Sequence, residues 1–451
     1  MKLNLPVAFI LISISASAQV DTAKSKTPFE GLDQTWYNGG DRRDSAVLKG
    51  KYFVASLMMD VNYSYSFANP IDNTVVGSTA LGRDNEFQLA LGAIGAEFDY
   101  KGARGKMMIQ MGTNTTVIPR DDGSSYKGQY QLANVYRYLA EAYGGYHFDK
   151  WRGINVDVGM FVSYIGLNSY YQVENWEYQA SYTSDNTPWF FNGMRIQIFP
   201  TKHLKIEPWI INGWQSYGKF NSMPGLGGNI TWIPNNNVKL LTNDYFGTDT
   251  PLTPGRKRFH SDNSFLLKYF DSPQSKGVSR RAFSLTVDVG FEKGGGVNGF
   301  TSDPVKGPAQ YFLSAMFYHR MWFNQNHFAW TIGGGVINNP GRYLVLYPTG
   351  DASPLPNPNN PTLTEGTHPF DTSPGSKFKG WDCSTNFDWM PNQSITWRIE
   401  YVHRYANVPY FAGHGGVTSP TGYTTTPLPA NWAPDLVNTE DRIIFAMLFR
   451  I

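Results

Sequence analysis

A long stretch of alternating residues between Tyr52 and Phe67 is the feature that most limits what this chain can fold into. Its odd positions, from Phe53 onward, are apolar or aromatic, and the even positions include Asp60 and Asn62. Side chains of a β-strand point alternately to two faces, so the pattern predicts a strand with one apolar and one polar face. Ordinary half-buried strands usually stop after about five or six residues. This segment is long enough to cross a bilayer at a tilt, which takes about 9–11 residues.

The same alternation recurs at 133–148, 153–167, 279–292 and near the end of the chain. A charge facing lipid near the bilayer midplane costs roughly 2–4 kcal/mol for Arg or Lys. The charged face must therefore look inward, away from lipid. The charged residues that alternation assigns to the inward face are Asp60, Arg137, Glu141, Asp157, Arg195, Lys205, Glu207, Asp288, Arg398, Glu400 and Arg404.

Connection lengths give an independent argument for a membrane barrel. The predicted strands are 50–67, 85–100, 103–117, 133–148, 153–167, 189–199, 203–213, 226–233, 238–247, 259–270, 279–292, 310–323, 327–338, 378–390, 394–406 and 441–451. Short connections rich in Pro, Gly, Asn and Asp then alternate almost without exception with long ones such as 339–377. Short periplasmic turns opposite long extracellular loops are typical of bacterial barrels.

The predicted fold is all-β: a closed antiparallel transmembrane barrel of about sixteen strands. An even count puts both ends of the barrel on the periplasmic side, and the chain stops within an alternating last strand. Lipid tolerates no open sheet edge, so that strand is expected to pair with the first. Two segments fit less cleanly. Residues 310–323 are apolar on both faces, and 85–100 change phase near Gly92 or Gly95, as a β-bulge could produce.

The first eighteen residues have the features of an export signal. Lys2 is their only charge, Leu5 to Ile14 form an apolar core, and Ala16-Ser17-Ala18 fits a cleavage site. The apolar run is shorter than the ~20 residues of a spanning helix. We therefore predict a signal peptide at 1–18, an N-terminal periplasmic segment at 19–49 and the barrel at 50–451.

Composition agrees with a barrel and excludes several other classes. Aromatic residues reach 15%, yet the mean hydropathy is −0.37, as expected when lipid-facing and inward residues alternate. No stretch after residue 18 approaches eighteen consecutive apolar residues, which excludes a helical membrane protein. The 38 Lys and Arg nearly balance 36 Asp and Glu, so a nucleic-acid partner is not expected. Cys383 is the only cysteine, so no intrachain disulfide can form.

No motif in the sequence predicts catalysis, a cofactor or a metal. Residues 294–299 (GGGVNG) match a dinucleotide pattern, but a loop follows where that pattern requires a helix. The histidines are scattered, with neither metal-ligand spacing nor a nucleophile motif. These histidines are His147, His203, His260, His319, His327, His368, His403 and His414. We expect no catalytic residue, cofactor or metal.

Two sets of residues are candidates for function. The inward charges could line a pore and sort solutes by charge and size, or could simply pair across strands to stabilise the interior. The loop 168–188 is crowded with aromatic side chains, and full exposure of so much apolar surface to water would be unfavourable. They are Tyr170, Tyr171, Trp176, Tyr178 and Tyr182. This loop could fold inward as a constriction, bind a sugar-like solute by ring stacking, or pack on neighbouring loops.

Four segments carry a resemblance to a known family. They are NPIDNTVVGSTALGRDNEF (69–87), YQLANVYRYLAEAYGGYHF (130–148), the stretch 174–218 beginning ENWEYQASYTSDNTPWFF, and RIEYVHRYANVPYFAGHGG (398–416). The sequence resembles the putative beta-barrel porin-2 family of Gram-negative outer-membrane proteins over nearly all of the chain after residue 18. The resemblance implies an outer-membrane barrel with porin activity, and it carries over no binding or catalytic residues.

We therefore expect an outer-membrane porin, not an enzyme, through which small hydrophilic solutes diffuse passively. Its expected partners are outer-membrane lipid and these solutes. Assembly into a homo-oligomer is also compatible with the sequence. One alternative is an outer-membrane enzyme of the phospholipase type, which needs a serine and a histidine adjacent on the outer face. Another is a non-conducting adhesin or scaffold that uses its long loops, 339–377 above all.

Overall fold

The structure is a computed structural model that describes residues 28–29, 47–119, 122, 130–250, 252–340, 377–423, 429, 432 and 434–451. The predicted signal peptide lies outside these residues, as does nearly all of the predicted segment 19–49. Among the residues described, no helix is both long enough and apolar enough to cross a membrane.

Sixteen long strands make up one antiparallel sheet within the described part of the chain. They are β1 Phe53–Ser66, β2 Phe87–Tyr100, β3 Ala103–Met111, β4 Leu139–Phe148, β5 Ile154–Val162, β6 Phe190–Thr201, β7 Leu204–Ile211, β8 Gly225–Asn235, β9 Val238–Gly247, β10 Lys257–Asp271, β11 Val278–Gly294, β12 Tyr311–Phe323, β13 Phe328–Asn339, β14 Phe378–Asn392, β15 Ile395–Ala406 and β16 Thr439–Arg450. A two-residue strand, Val297–Asn298, pairs antiparallel with the end of β11, and another pair, Phe411–Ala412 with Leu436–Val437, forms a separate small ladder.

The sheet closes on itself. Each strand pairs with the next along the chain, and β16 returns to β1 with Met58 opposite Arg450 and Ser66 opposite Arg442. Closure leaves no unpaired strand edge, which the hydrocarbon core of a membrane would not tolerate. The predicted closed barrel of sixteen strands is confirmed.

Strand faces follow the predicted alternation. In β1 the even positions from Met58 to Ser66 are buried inside the barrel, whereas the odd positions are at least partly exposed on the outer face. Asp157 and Asp288 are fully buried in the interior. The outer surface carries large exposed apolar side chains such as Phe98, Phe317 and Phe445, as a lipid-facing surface requires.

Short turns lie at one end of the barrel and long loops at the other. The turn between β2 and β3 consists of Lys101 and Gly102, both in the left-handed region with φ of 51° and 87°. A two-residue hairpin of this kind needs positive φ at both positions and matches the twist of the flanking strands. Both ends of the sheet lie at the short-turn end, which is the periplasmic end in bacterial barrels.

Two predicted strands are shorter than the sequence pattern indicated. The segment 103–117 stops as a strand at Met111 and continues as a short helix, α1 Asn114–Val117. The segment 133–148 begins with a helix, α2 Leu132–Tyr136, and becomes a strand only at Leu139. Both helices lie at the long-loop end, where alternating residues continue past the point at which strand pairing stops.

The two irregular segments have physical explanations. In β2 the partners of Asp60 and Val61 are Leu91 and Leu89, so Ala90 is an extra residue that forms a bulge and shifts the phase. In β12 the inward face carries Phe312, Met316 and Trp322, which are buried against other apolar groups inside the barrel. Alternation is lost there because the interior itself is partly apolar.

Chain from two long connections enters the interior from the long-loop end and reaches the last residue of β16, where Arg450 donates to Glu174 at 2.6 Å. Val75 and Leu81 of 67–86 and Tyr171 of 163–189 join inward residues of the wall, such as Met58 and Leu448, in one apolar cluster. The barrel therefore has a core of its own, and loop segments are part of it.

Candidate functional site

The loop 168–188 lies inside the barrel and not above it. It contains a 3₁₀ turn, Gln172–Glu174, and a one-turn helix, α3 Tyr182–Asp185. Its five aromatic side chains are buried, with Tyr178 fully so and Tyr170 the most accessible at 6%. Each buried aromatic ring contributes roughly 1.5–3 kcal/mol, which helps to offset the backbone entropy lost when a long loop is ordered.

Three tyrosine hydroxyls attach this loop to one side of the wall. Tyr170 donates to Gln110 on β3 at 2.6 Å, and Tyr171 donates to Glu141 on β4 at 2.9 Å. Tyr178 reaches β1, where its hydroxyl donates to Asp60 Oδ1 at 2.8 Å. Predicted inward carboxylates are thus hydrogen-bond acceptors for the predicted aromatic loop.

Two carboxylates on β14 and β15, on the other side of the seam between β1 and β16, bind the loop backbone. Glu400 on β15 accepts the N–H groups of Tyr178 and Gln179 at 2.6 and 2.7 Å. Asp382 on β14 accepts the Tyr182 N–H at 3.0 Å and the Ser181 hydroxyl at 2.9 Å. These four hydrogen bonds fix the conformation of the loop between Tyr178 and Tyr182.

A buried charge cluster holds the middle of the loop. Asp388 on β14 accepts from Arg320 on β12 at 2.7 Å and from Arg398 on β15 at 2.7 and 2.8 Å. The same guanidinium groups donate to loop carbonyls, Arg320 to Trp176 at 3.1 Å and Arg398 to Asn175 at 2.8 Å. The shared acceptors hold both buried cations against the loop, although Arg320 Nε and Arg398 Nη1 have no hydrogen-bond partner among the described residues.

The carboxyl group of Glu177 lies in the same part of the loop. Burial raises the pKa of Glu177 above its ordinary value, and a hydrogen bond from Asn168 and the nearby charge of Arg398 oppose the rise. Its environment is therefore much less hydrated than that of a surface carboxyl group.

A second connection, 67–86, also enters the interior and contacts the first. Arg404 on β15 donates to the carbonyls of Val76, at 2.9 Å, and Gly77, and it pairs with Glu440 on β16. Thr79 donates to Asp185 of α3 through its hydroxyl at 2.6 Å. The two loop segments and the wall therefore form one connected network.

A group of partly exposed cations lies on β3 and β6, nearer the short-turn end. Arg104 and Arg195 share Asp157, at 3.2 and 3.0 Å, and Lys106 lies 2.7 Å from Glu141. The exposed fractions of the cationic side chains are 12%, 12% and 16%, whereas Asp157 has none. This inner surface therefore presents the three cations to solvent, together with the carboxylate of Glu97, which lies 3.3 Å from Lys106 and is 62% exposed.

The remaining predicted inward residues are in place, with one exception. Lys205 pairs with Glu207 at 2.6 Å, and Asp288 lies 2.6 Å from His260. Arg137 was expected on a strand, but it follows helix α2 and donates to the carbonyl of Ala133 at 3.1 Å. The strand assignment of Arg137 was wrong because the alternating pattern was extended to residues before the start of β4 at Leu139, and its place in the pore lining stays a prediction.

Several important charges escaped the sequence analysis. Asp382 and Asp388 lie on the polar face of a predicted strand, so alternation could have found them. Arg320 was concealed because both faces of 310–323 are apolar. Arg104 and Lys106 lie on a strand where glycine and methionine obscure the alternation.

The outer face also carries a polar row at the long-loop end. Cys383 on β14 lies directly opposite His403 on β15, which lies opposite Asp441 on β16. The His403 Nδ1 atom is 2.8 Å from Asp441 Oδ1, and Tyr401 donates to the same oxygen at 2.6 Å. In the described parts of the chain, no group of three or more His, Cys, Asp or Glu side chains could hold a metal ion. Nearly all of loop 339–377 lies outside the described residues.

The closed sheet, its apolar outer face and its charged interior define a transmembrane antiparallel β-barrel. The family model described as "Putative beta-barrel porin-2, OmpL-like" matches residues 53–426. The chain belongs to this family of outer-membrane β-barrels, as the resemblance in the sequence had indicated.

Solved structures with a similar fold are distant in sequence. The outer membrane channel DcaP of Acinetobacter baumannii is 9% identical, with 88% of this chain and 97% of that one covered and a TM-score of 0.47. An anion-selective porin from Comamonas acidovorans is 8% identical, with 88% of this chain and 99% of that one covered and a TM-score of 0.48. OprB of Pseudomonas putida is 11% identical, with 89% of this chain and 94% of that one covered and a TM-score of 0.48. A search of curated protein sequences gave no match.

Proposed function

We propose that this protein is a passive channel for small hydrophilic solutes, with loop 168–188 as its constriction. The observation that carries the proposal is the position of that loop within a closed barrel, held by residues of β1, β3, β4, β12, β14 and β15. A segment attached to these six strands narrows the lumen at a constant place. Channel size and charge at such a constriction decide which solutes pass.

The partly exposed cations are the proposed lining of the path. Arg104, Lys106 and Arg195 face the interior near the short-turn end, and solutes would pass along them and beside the constriction. These cations balance the carboxylates of Asp157, Glu141 and Glu97, so removing one cation should shift the preference of the channel toward cationic solutes. The channel makes and breaks no covalent bond, so no residue is assigned a catalytic role.

Single-channel recording in a planar bilayer tests the proposal. Purified protein is expected to give stepwise current increments, and the reversal potential in a salt gradient measures whether anions or cations pass more easily. Lys106→Gln should shift the reversal potential toward cation selectivity, because it removes a lumenal charge but leaves Glu141 bonded to Tyr171. Lys257→Gln, at an exposed position at the end of β10, is the matched control and should leave the reversal potential unchanged.

A bilayer that stays silent although the protein is folded would reject the channel. Folding is checked separately by gel mobility before and after boiling. Equal reversal potentials for wild type and Lys106→Gln would show that solutes do not pass along these cations. The proposal that the protein is a channel would then stand without this lining.

Export is proposed to depend on residues 1–18 as a cleaved signal peptide, with 19–49 as a periplasmic segment. Sequencing the N-terminus of protein purified from outer membranes tests this. The first residue is expected to be Gln19.

A second candidate is an enzyme acting on membrane lipid. One specific observation favours it: Cys383, His403 and Asp441 lie in a row across three strands of the lipid-facing surface. A nucleophile, a base and an acid that orients the base are the parts of a hydrolase site, although cysteine stands where the phospholipase type has serine. Lipid hydrolysis that is lost in both Cys383→Ala and His403→Ala would support the enzyme. Absence of hydrolysis by wild-type protein would exclude it.

A further inference from the structure

Four polar side chains face outward on two neighbouring strands. They form the polar quartet, which consists of Thr242 and Asp244 on β9 and Ser261 and Asn263 on β10. Ser261 lies directly opposite Asp244, and Asn263 directly opposite Thr242. Asp244 and Asn263 are exposed, and the other two are half-buried. The quartet is therefore a flat polar patch two strands wide on the outer face of the barrel.

The patch lies within the apolar band of the barrel. Above it, at the long-loop side, Phe246, Phe259 and Phe291 form an aromatic row with ring centroids 4.9 Å apart. Such rows mark the membrane interface. Asn263 lies four residues beyond Phe259, about 13 Å along the strand at about 3.3 Å per residue. Below it, Leu240 and Phe265 restore the apolar surface.

The quartet only partly satisfies its own hydrogen-bonding groups. Thr242 donates to Asn263 Oδ1 at 2.6 Å, and Asn263 donates to Ser261 Oγ at 3.0 Å. No residue in the described part of the chain donates a hydrogen bond to the Asp244 carboxylate. Lipid tails offer no hydrogen bonds, and polar groups left unsatisfied in hydrocarbon are costly. Another protein surface in contact with this patch would remove that cost.

We propose that this face is the contact between two copies of the chain, related by a two-fold axis along the membrane normal between β9 and β10. Rotation about such an axis leaves each residue at the same depth in the membrane. It sets β9 of one copy against β10 of the other. It places Asp244 of one copy opposite Ser261 of the second, and Thr242 opposite Asn263. The lone acceptor then meets a hydroxyl donor, and the patch is complementary to itself, as a two-fold contact requires.

Two measurements test the contact on the full-length protein. In mild detergent, native mass spectrometry of the wild type should give the mass of two copies. Asp244→Leu combined with Asn263→Leu should give the mass of one copy, because it removes the polar contacts but suits a lipid-facing surface. Gel mobility before and after boiling confirms that the variant is folded.

Cross-linking in native outer membranes is the second measurement. In a Cys383→Ser background, which removes the only cysteine, Asn263→Cys should yield a two-copy product with a short bismaleimide. Phe445→Cys is the control, because Phe445 is an exposed outward residue on β16, across the barrel. It should yield none.

Several results would overturn the proposal. They are a single-copy mass for the wild type together with no product from Asn263→Cys, a two-copy mass that survives the double leucine variant, or a cross-linked product containing a different protein. A mass of three copies would also overturn it, because a three-fold ring brings two different faces together.

Discussion

At the scale of single residues, the interior depends on carboxylates that each serve several donors. Asp388 accepts from two arginines, and both arginines also hold carbonyls of the constriction loop. Removing one partner of a buried ion pair destabilises the folded state by more than the intact pair stabilises it, because the remaining charge is left buried without a counter-ion. Asp388 should therefore be among the positions least tolerant of substitution.

Asp388→Ala is expected to destabilise the folded barrel by about 3–5 kcal/mol, since it leaves Arg320 and Arg398 buried without their counter-ion. The measurement is the urea midpoint of unfolding in lipid vesicles. Phe387→Leu, at the adjacent lipid-facing position, is the control and should change the midpoint much less. Equal shifts for the two variants would contradict the role given to Asp388.

Residue positions were predictable wherever alternation was unbroken. Asp60, Asp157, Glu400 and Arg404 were assigned to the interior from spacing alone, and the structure places all of them there. Arg137 was misplaced because spacing does not show where a strand ends. No sequence pattern shows which buried partner a charge will meet, so the Asp388 cluster could not be anticipated.

At the scale of elements, the loops are joined by carboxylates that cap backbone N–H groups. Asp72 accepts from the N–H groups of Val417 and Thr418 at 2.7 and 2.6 Å and from the Thr418 hydroxyl at 2.8 Å. It thereby connects 67–86 with the long connection before β16. Burial acts to raise the pKa of Asp72, but these hydrogen bonds outweigh it and lower the pKa below its ordinary value of 3.8.

Asp72→Asn should loosen this connection by about 1–3 kcal/mol, because a neutral amide oxygen is a weaker acceptor than a carboxylate and the amide nitrogen cannot accept from the Thr74 N–H, which now donates to the second carboxylate oxygen. The pKa of Asp72 is lower in the folded protein, so its stabilisation is complete above about pH 4 and disappears as the pH falls through the folded value. The difference in unfolding midpoint between wild type and Asp72→Asn should thus be constant from pH 8 to 5 and shrink in stronger acid. A difference that grows on acidification would contradict this assignment.

The strands were more predictable than the loops for a physical reason. A spanning strand must present one face to lipid along its whole length, so apolar and polar residues alternate from one end of the strand to the other. The loop segments that enter the barrel obey no such period, since they pack among mixed polar and apolar neighbours. Helices α1 and α2 were accordingly missed, and the aromatic content of 168–188 left several interpretations open.

At the scale of the whole molecule, the pairing of β1 with β16 turns a sheet into a barrel. The strand number and the parity of the connections followed from the sequence, because both are consequences of crossing a membrane. The filling of the interior did not follow, because it depends on contacts between residues far apart in the chain, such as Arg404 with Val76.

Removal of residues 439–451 should abolish the folded barrel, because it exposes the edges of both β1 and β15. The expected result is loss of the mobility difference between boiled and unboiled samples. Deleting a matched length from within 341–376 is the control and should preserve that difference. A truncated protein that still migrates as a folded barrel would show that closure is dispensable.

The attachment of loop 168–188 to the wall also orders the events of assembly. Its acceptors include Asp60 on the first strand and Glu400 on the fifteenth, with Asp382 on the fourteenth. The loop is synthesised before most of these strands, yet it cannot take its final position until they arrive. The later strands must therefore fold around this loop, and the final pairing of β16 with β1 closes the barrel with the loop inside it.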